Sequence, residues 1–245
     1  MEEEAQMKPI FALLLLLIAA GSCMSPPVRP ADWELVWSDE FDVDGVPNPS
    51  KWIPIDQGAG WVNNEAQAYA RGRGNYWVED GYLILEARKE KYRNAKYTSA
   101  RLMTQNLGDW KYCRMEVKAK LPAGKGVWPA IWMLPTNARS YGYGWPESGE
   151  IDIMENVGHE PNIIHASVHT KMYNWMRGNQ RMGYTKVPHL SEEDHIFFME
   201  WYPDRIDIGV DDRIYFTHVN LNTGWEAWPF DKTFYLILNI AIGGN

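Results

Sequence analysis

The chain has 245 residues with 24 Lys and Arg against 32 Asp and Glu, a formal charge of −8, which excludes nonspecific nucleic-acid binding through a basic surface. Its 45% hydrophobic and 23% charged residues are a globular composition and exclude a disordered chain. The excess lies in 13 Trp, more than a core of this size needs for volume, and such flat rings suit the faces of sugars.

Ile10 to Ala20 is an apolar run of 11 residues, about half the length of a bilayer-spanning helix, and it reads as an export signal. Met1 to Gln6 is acidic where such a signal should be positive, so Met7-Lys8-Pro9 is an alternative start. Ala20-Gly21-Ser22-Cys23 has the small residues and terminal Cys of a bacterial lipobox. Residues 1–23 are therefore expected to be a signal peptide with Cys23 as the lipidation site, and a plain secretory signal is the alternative. Residues 24–31, rich in Pro, read as a short tether, and residues 32–245 as one domain without internal repeats. The implied location is outside the cytoplasm, as an outer-membrane lipoprotein or an extracellular protein, with the membrane a partner through the lipid. Cys113 is left without a disulfide partner and is expected to be a buried, inert thiol.

Within the domain, Tyr82–Ala87 and Tyr97–Met103 read as strands. From Lys111 to Leu121 the chain alternates strictly. Cys113, Met115, Val117, Ala119 and Leu121 share one face, and Arg114, Glu116, Lys118 and Lys120 the other. Gly126 and Pro129 beside Trp128 predict an irregular stretch lining a groove. Gly149 to Asn156 carries the chemistry. Glu150 and Asp152 share a strand face, Ile151 and Ile153 the other, and Glu155 breaks the parity. A β-bulge around Ile153 and Met154 would restore it. The Cα atoms of Glu150 and Glu155 would then lie on the order of 13 Å apart, and side chains leaning together could reach the ~5–5.5 Å carboxyl separation of a retaining glycosidase. Asp152 between them would keep charge on one and a proton on the other. A metal site is the rival reading, since His159, His165 and His169 follow. The spacing of His165 and His169 suits a helix better than a strand, and no Cys joins them. Ile163–His169, Ile196–Trp201, Arg205–Val210, Arg213–Thr217 and Thr233–Ile242 complete the strands, with a tight hairpin at Val210-Asp211-Asp212-Arg213. No amphipathic helix of ten or more residues is evident. The fold class is all-β, two packed antiparallel sheets in a β-sandwich or jelly roll.

Glu150-Ile-Asp-Ile-Met-Glu155 resembles the signature of glycoside hydrolase family 16, in the bulged form of its laminarinases, agarases and carrageenases. Trp37-Ser-Asp-Glu-Phe41, Asn63-Asn-Glu-Ala-Gln67, Tyr97-Thr-Ser-Ala-Arg101, Gly126-Val-Trp-Pro-Ala-Ile-Trp-Met-Leu-Pro135, Glu200-Trp201, Trp228-Pro-Phe-Asp231 and Leu238-Asn-Ile-Ala-Ile-Gly-Gly244 match the family's pattern in order. The resemblance implies a jelly roll with a concave cleft. It makes Glu150 the nucleophile, Glu155 the acid/base and Asp152 their tuning partner. Asn64, Glu65 and Arg101 would hydrogen-bond sugars on the nonreducing side, although Arg101 could instead serve a surface ion pair. Trp128, Trp132 and Trp145 would wall the cleft, one of them packing in the core, with Trp132 the first candidate. His169 would stand near the leaving group or be structural.

Asn63-Asn64-Glu65 and the Trp-Pro-Ala-Ile-Trp run look more like laminarinases than agarases, so the implied substrate and partner is β-1,3-glucan, cleaved internally with retention by a monomer. Mixed-linkage glucan, agarose or carrageenan hydrolysis, transglycosylation, and a non-catalytic β-glucan binding module are the alternatives. The chemistry needs no cofactor. Family members continue past Gly-Gly-Asn with a further strand, so this chain reads as a fragment lacking it. An Asp of that strand would help to hold a structural Ca²⁺ with groups near the start of the domain and near Gly81, a site left incomplete here.

Overall fold

The computed structural model describes residues 33–138 and 144–243. The expected signal, lipobox and tether lie outside the described residues. The strands are β1 (Ile53–Pro54), β2 (Gln67–Tyr69), β3 (Tyr76–Glu79), β4 (Tyr82–Leu85), β5 (Tyr97–Ser99), β6 (Arg101–Met103), β7 (Asp109–Trp110) and β8 (Arg114–Ala119). They continue with β9 (Val127–Pro135), β10 (Glu150–Glu155), β11 (Ile163–His169), β12 (Arg181–Lys186), β13 (His195–Trp201), β14 (Arg205–Val210), β15 (Arg213–Val219) and β16 (Phe234–Ile242). The large antiparallel sheet runs β1-β6-β16-β9-β10-β11-β12, with β7 also on β16, and faces a second sheet, β15-β14-β13-β8. The expected sandwich of antiparallel sheets is what the chain forms.

Alternation places the core between the sheets. Met133, Ile151, Ile153, Ile164 and Val168 of the large sheet, with Phe197, Met199, Ile206 and Ile208 of the small one, are at most 1% exposed. Each such side chain contributes about 1.5–3 kcal/mol of burial. Every second residue of the large sheet is consequently free to face the other way, onto its concave surface.

Two strand expectations change. Tyr97–Met103 is not one strand: it divides at Ala100, Tyr97–Ser99 pairing in parallel with β2 and Arg101–Met103 joining the large sheet. Val127–Pro135 is a continuous strand paired along its whole length with β16, from Ile242↔Val127 to Phe234↔Pro135, so Trp128 sits in a regular ladder and not in an irregular stretch. Pro129 is tolerated there although it has no amide donor. The Val210–Arg213 hairpin is present, with Asp211 at φ 57°.

Candidate active site

Strand β10 is bulged where parity requires it. Against β9, Ile151 pairs with Met133 and Asp152 with Trp132, after which the register slips and Met154 pairs with Ile131. Ile153 is the extra residue. Ile151, Ile153 and Met154 all enter the core, leaving Glu150, Asp152 and Glu155 on the concave face. From the opposite sheet, Tyr215 Oη donates to the Ile153 carbonyl at 3.2 Å, satisfying a carbonyl that the bulge removes from the ladder. Gly149 opens the strand at φ 92°, where a Cβ would lie 2.9 Å from Pro229 and 3.1 Å from Phe234, so only glycine fits.

The three carboxylates line one cleft together with Arg101, Trp128 and Trp132. Trp128 Nε1 donates to Glu155 Oε1 at 3.0 Å. Ser167 Oγ donates to Asp152 in a very short bond, and His169 Nε2 lies 3.2 Å from Asp152 Oδ2 and 3.9 Å from Glu150 Oε1. Trp145, its ring 5.9 Å from that of His169, hydrogen-bonds Glu150. Burial and the neighbouring Asp152 push the Glu155 carboxyl up to about 8, against a smaller downward pull from the Trp128 N–H. Burial, then the charges of Asp152 and Glu155, raise Glu150, while the bond from Trp145 opposes them. Carboxylates this crowded titrate as a set.

On one flank of β10, Arg101 is only 6% exposed, its guanidinium sandwiched 5.0 Å from the Trp61 ring and 4.5 Å from the Trp132 ring. Among the described residues it forms no ion pair, and its buried Nε has no hydrogen-bond partner. Trp132 is not in the core. It lines the cleft, and its Nε1 donates to Asn239 Oδ1 at 2.6 Å. None of Trp128, Trp132 and Trp145 is buried, because each lies on the concave side of the sheet or its rim. Glu65 Oε2 accepts from Gln67 Nε2 at 2.6 Å and Tyr69 Oη at 3.1 Å, and Tyr69 Oη accepts from Asn239 Nδ2 at 3.1 Å. A continuous polar chain thus runs from Glu65 to Trp132. Asn63 and Asn64 occupy consecutive positive-φ positions, 47° and 52°, which Asn tolerates. Asn63 lines the cleft, whereas Asn64 stands exposed in the same turn.

Sequence reasoning missed Trp61, Tyr69, Ser167, Tyr215 and Asn239. Asn239 carried a signal, as an amide in the otherwise apolar run Phe234–Ile242, and Ser167 carried another, alternating with His165 and His169. The histidine spacing that spoke for a helix belongs to a strand, with His165 bonded to Glu160 at 3.1 Å rather than to the carboxylates of β10. Among the described residues, the side-chain group able to hold a cation is Glu150, Asp152 and His169, inside this cleft. At the Gly81 turn, Asp44 Oδ1 accepts from Asp80 N, joining the start of the domain to the turn. Cys113 is half-buried against the core, and burial pushes its thiol up to about 12, which keeps it protonated and unreactive.

Comparison with known proteins agrees with this geometry. Residues 63–245 match glycosyl hydrolases family 16. The chain is 49% identical over 219 residues to a beta-glucanase of Rhodothermus marinus, covering 86% of this chain and 76% of that one. It superposes with a TM-score of 0.83 on the X-ray structure of the laminarinase from Rhodothermus marinus, at 49% identity and covering 86% and 87% of the two chains. The catalytic domain of an endo-1,3-beta-glucanase (laminarinase) from Thermotoga petrophila RKU-1 gives a TM-score of 0.80 at 40% identity, over 87% and 88%. A concave face carrying three carboxylates on a bulged strand, and these likenesses over most of the domain, lead to one conclusion: the chain belongs to glycosyl hydrolases family 16.

Proposed function

We propose that this protein is an endo-β-1,3-glucanase that hydrolyses laminarin-type polysaccharide by double displacement. The observation that carries the proposal is the bulge in β10, which turns Glu150 and Glu155 onto one cleft with Asp152 between them. The choice of β-1,3-glucan is supported by the relatives named laminarinase.

Glu155, raised to about 8, holds its proton near neutral pH and acts as the general acid, protonating the departing glycosidic oxygen. The Glu150 carboxylate attacks the anomeric carbon; the bond from Trp145 favours this charged form against burial and Asp152, and a neutral Glu155 removes a further opposing charge. The C–O bond to the departing chain breaks as an ester to Glu150 forms. Glu155, now a carboxylate, takes a proton from water, whose oxygen displaces Glu150 and regenerates both groups. Asp152, fixed by Ser167 and His169, supplies the negative charge that keeps the proton on Glu155. Arg101 and Glu65, which line the cleft beside the carboxylates, hold the nonreducing side of the chain. An exported, lipid-anchored location through Cys23 fits a substrate too large to enter a cell. Incubation with laminarin, lichenan, agarose and carrageenan, followed by product sizing, tests the reading. Short oligosaccharides from laminarin are expected, and laminarin left intact beside a degraded galactan would overturn it.

A further inference from the structure

The concave face continues beyond the catalytic strand. Glu155 pairs with His165 on β11, and His165 with Tyr184 on β12; Asp152 pairs with Ser167, and Ser167 with Met182. Residues directly opposite in an antiparallel ladder share a face, so Tyr184 and Met182 stand on the surface that carries the carboxylates. The intervening Gly183 confirms the parity. A Cβ there would meet Phe216 and the Tyr215 carbonyl at 3.0 Å, so the other face of β12 is packed on β15.

Tyr184 is 70% exposed and Met182 47%, a large apolar surface for an edge strand, where exposure invites aggregation unless something uses it. The Tyr184 ring lies 6.1 Å from the His165 ring, and Glu160 fixes His165 at 3.1 Å. Strands are about 4.8 Å apart, so β12 lies roughly 10 Å from β10, beyond the first sugar past the scissile bond. On the opposite flank Arg101, Trp132 and Glu65 take the nonreducing part of the chain, which leaves β11 and β12 for the part that departs.

We propose that His165, Met182 and Tyr184 form a platform for the departing glucan chain, binding a sugar ring beyond the one that Glu155 releases. The flat face of the Tyr184 ring and the Met182 thioether would pack on ring C–H groups, with the Tyr184 hydroxyl and His165 at the edge. This rests on the glucanase reading and extends it from the bond that is cut to the length of chain that is preferred.

The test compares kcat/KM for laminarin with kcat/KM for an aryl β-laminaribioside, whose small leaving group does not reach β12. In Tyr184→Ala the laminarin-to-aryl ratio should fall at least tenfold, and Tyr184→Phe, which keeps the ring, should restore most of it. Tyr184→Gln provides the same comparison with side-chain bulk retained, should the alanine variant fold poorly. An unchanged ratio in the Ala and Gln variants, or an equal loss on both substrates, would overturn the platform while leaving the glucanase reading intact. Inactivity of the unaltered enzyme on both substrates would overturn that reading and the platform with it.

Discussion

Strands β8 and β10 are written in nearly the same alternating pattern, yet their charges meet opposite fates. On β8 each charge meets an opposite one: Arg114, only 10% exposed, is paired with Glu116 at 2.6 Å and with Glu200, and the exposed Lys118 with Asp194 at 3.2 Å. On β10, three acids look into a cleft where the contacts are neutral donors and one histidine, Trp128, Trp145, Ser167 and His169. Surface pairs contribute little to stability, whereas crowded, half-buried carboxylates cost stability and shift their proton affinity. Alternation therefore reveals a strand and its parity, and the sign and spacing of the charges reveal which face is reserved for chemistry.

The sharpest break of this contrast is Glu150→Ser, which should lower laminarin turnover by at least about 10³-fold while glucan binding, followed by affinity electrophoresis, persists. Next, Glu155→Gln should cost about 10²–10⁴-fold on laminarin and much less on an aryl glycoside, whose leaving group needs no proton. The same variant separates the two strands by stability. A carboxyl raised in the folded state binds its proton more tightly than in the unfolded chain, so its presence destabilises the fold increasingly as pH rises from about 4.5 through about 8. Glu155→Gln should accordingly raise the melting temperature at pH 9 and leave it nearly unchanged at pH 4.

Trp128→Phe should act on proton affinity more than on fold. Removing the indole N–H frees Glu155 of a donor that holds its carboxyl down, so the alkaline fall of kcat/KM, expected near pH 8, should move to higher pH. An unmoved limb would show that Glu155 is not the group titrating there. The smallest effect belongs to β8, where Lys118→Gln should leave both the melting temperature and the pH profile within error.

Much of this was legible in the chain. The strands around Lys111–Leu121, Ile163–His169 and Arg205–Val210 followed from period two, and the bulge followed from a single parity fault at Glu155. The cleft position of Trp132 did not follow, because a Trp in a strand reads the same whether its face is core or cleft; the pairing with β16 and the bond to Asn239 place it on the cleft side. Ala100 hid the division of Tyr97–Met103 between two ladders, since small buried residues are compatible with either. Long-range partners such as Tyr215, 62 residues from the bulge it supports, leave no local trace at all.

The central claim is that Glu150 and Glu155 act as nucleophile and acid/base across one bulged strand, and the anomeric form of the first products tests it most directly. Laminarin digested in deuterated buffer and followed by proton NMR should release β-anomers first, with α-anomers appearing only by later mutarotation. First-formed α-anomers would mean single displacement by water, and would contradict the assignment of Glu150 as the nucleophile.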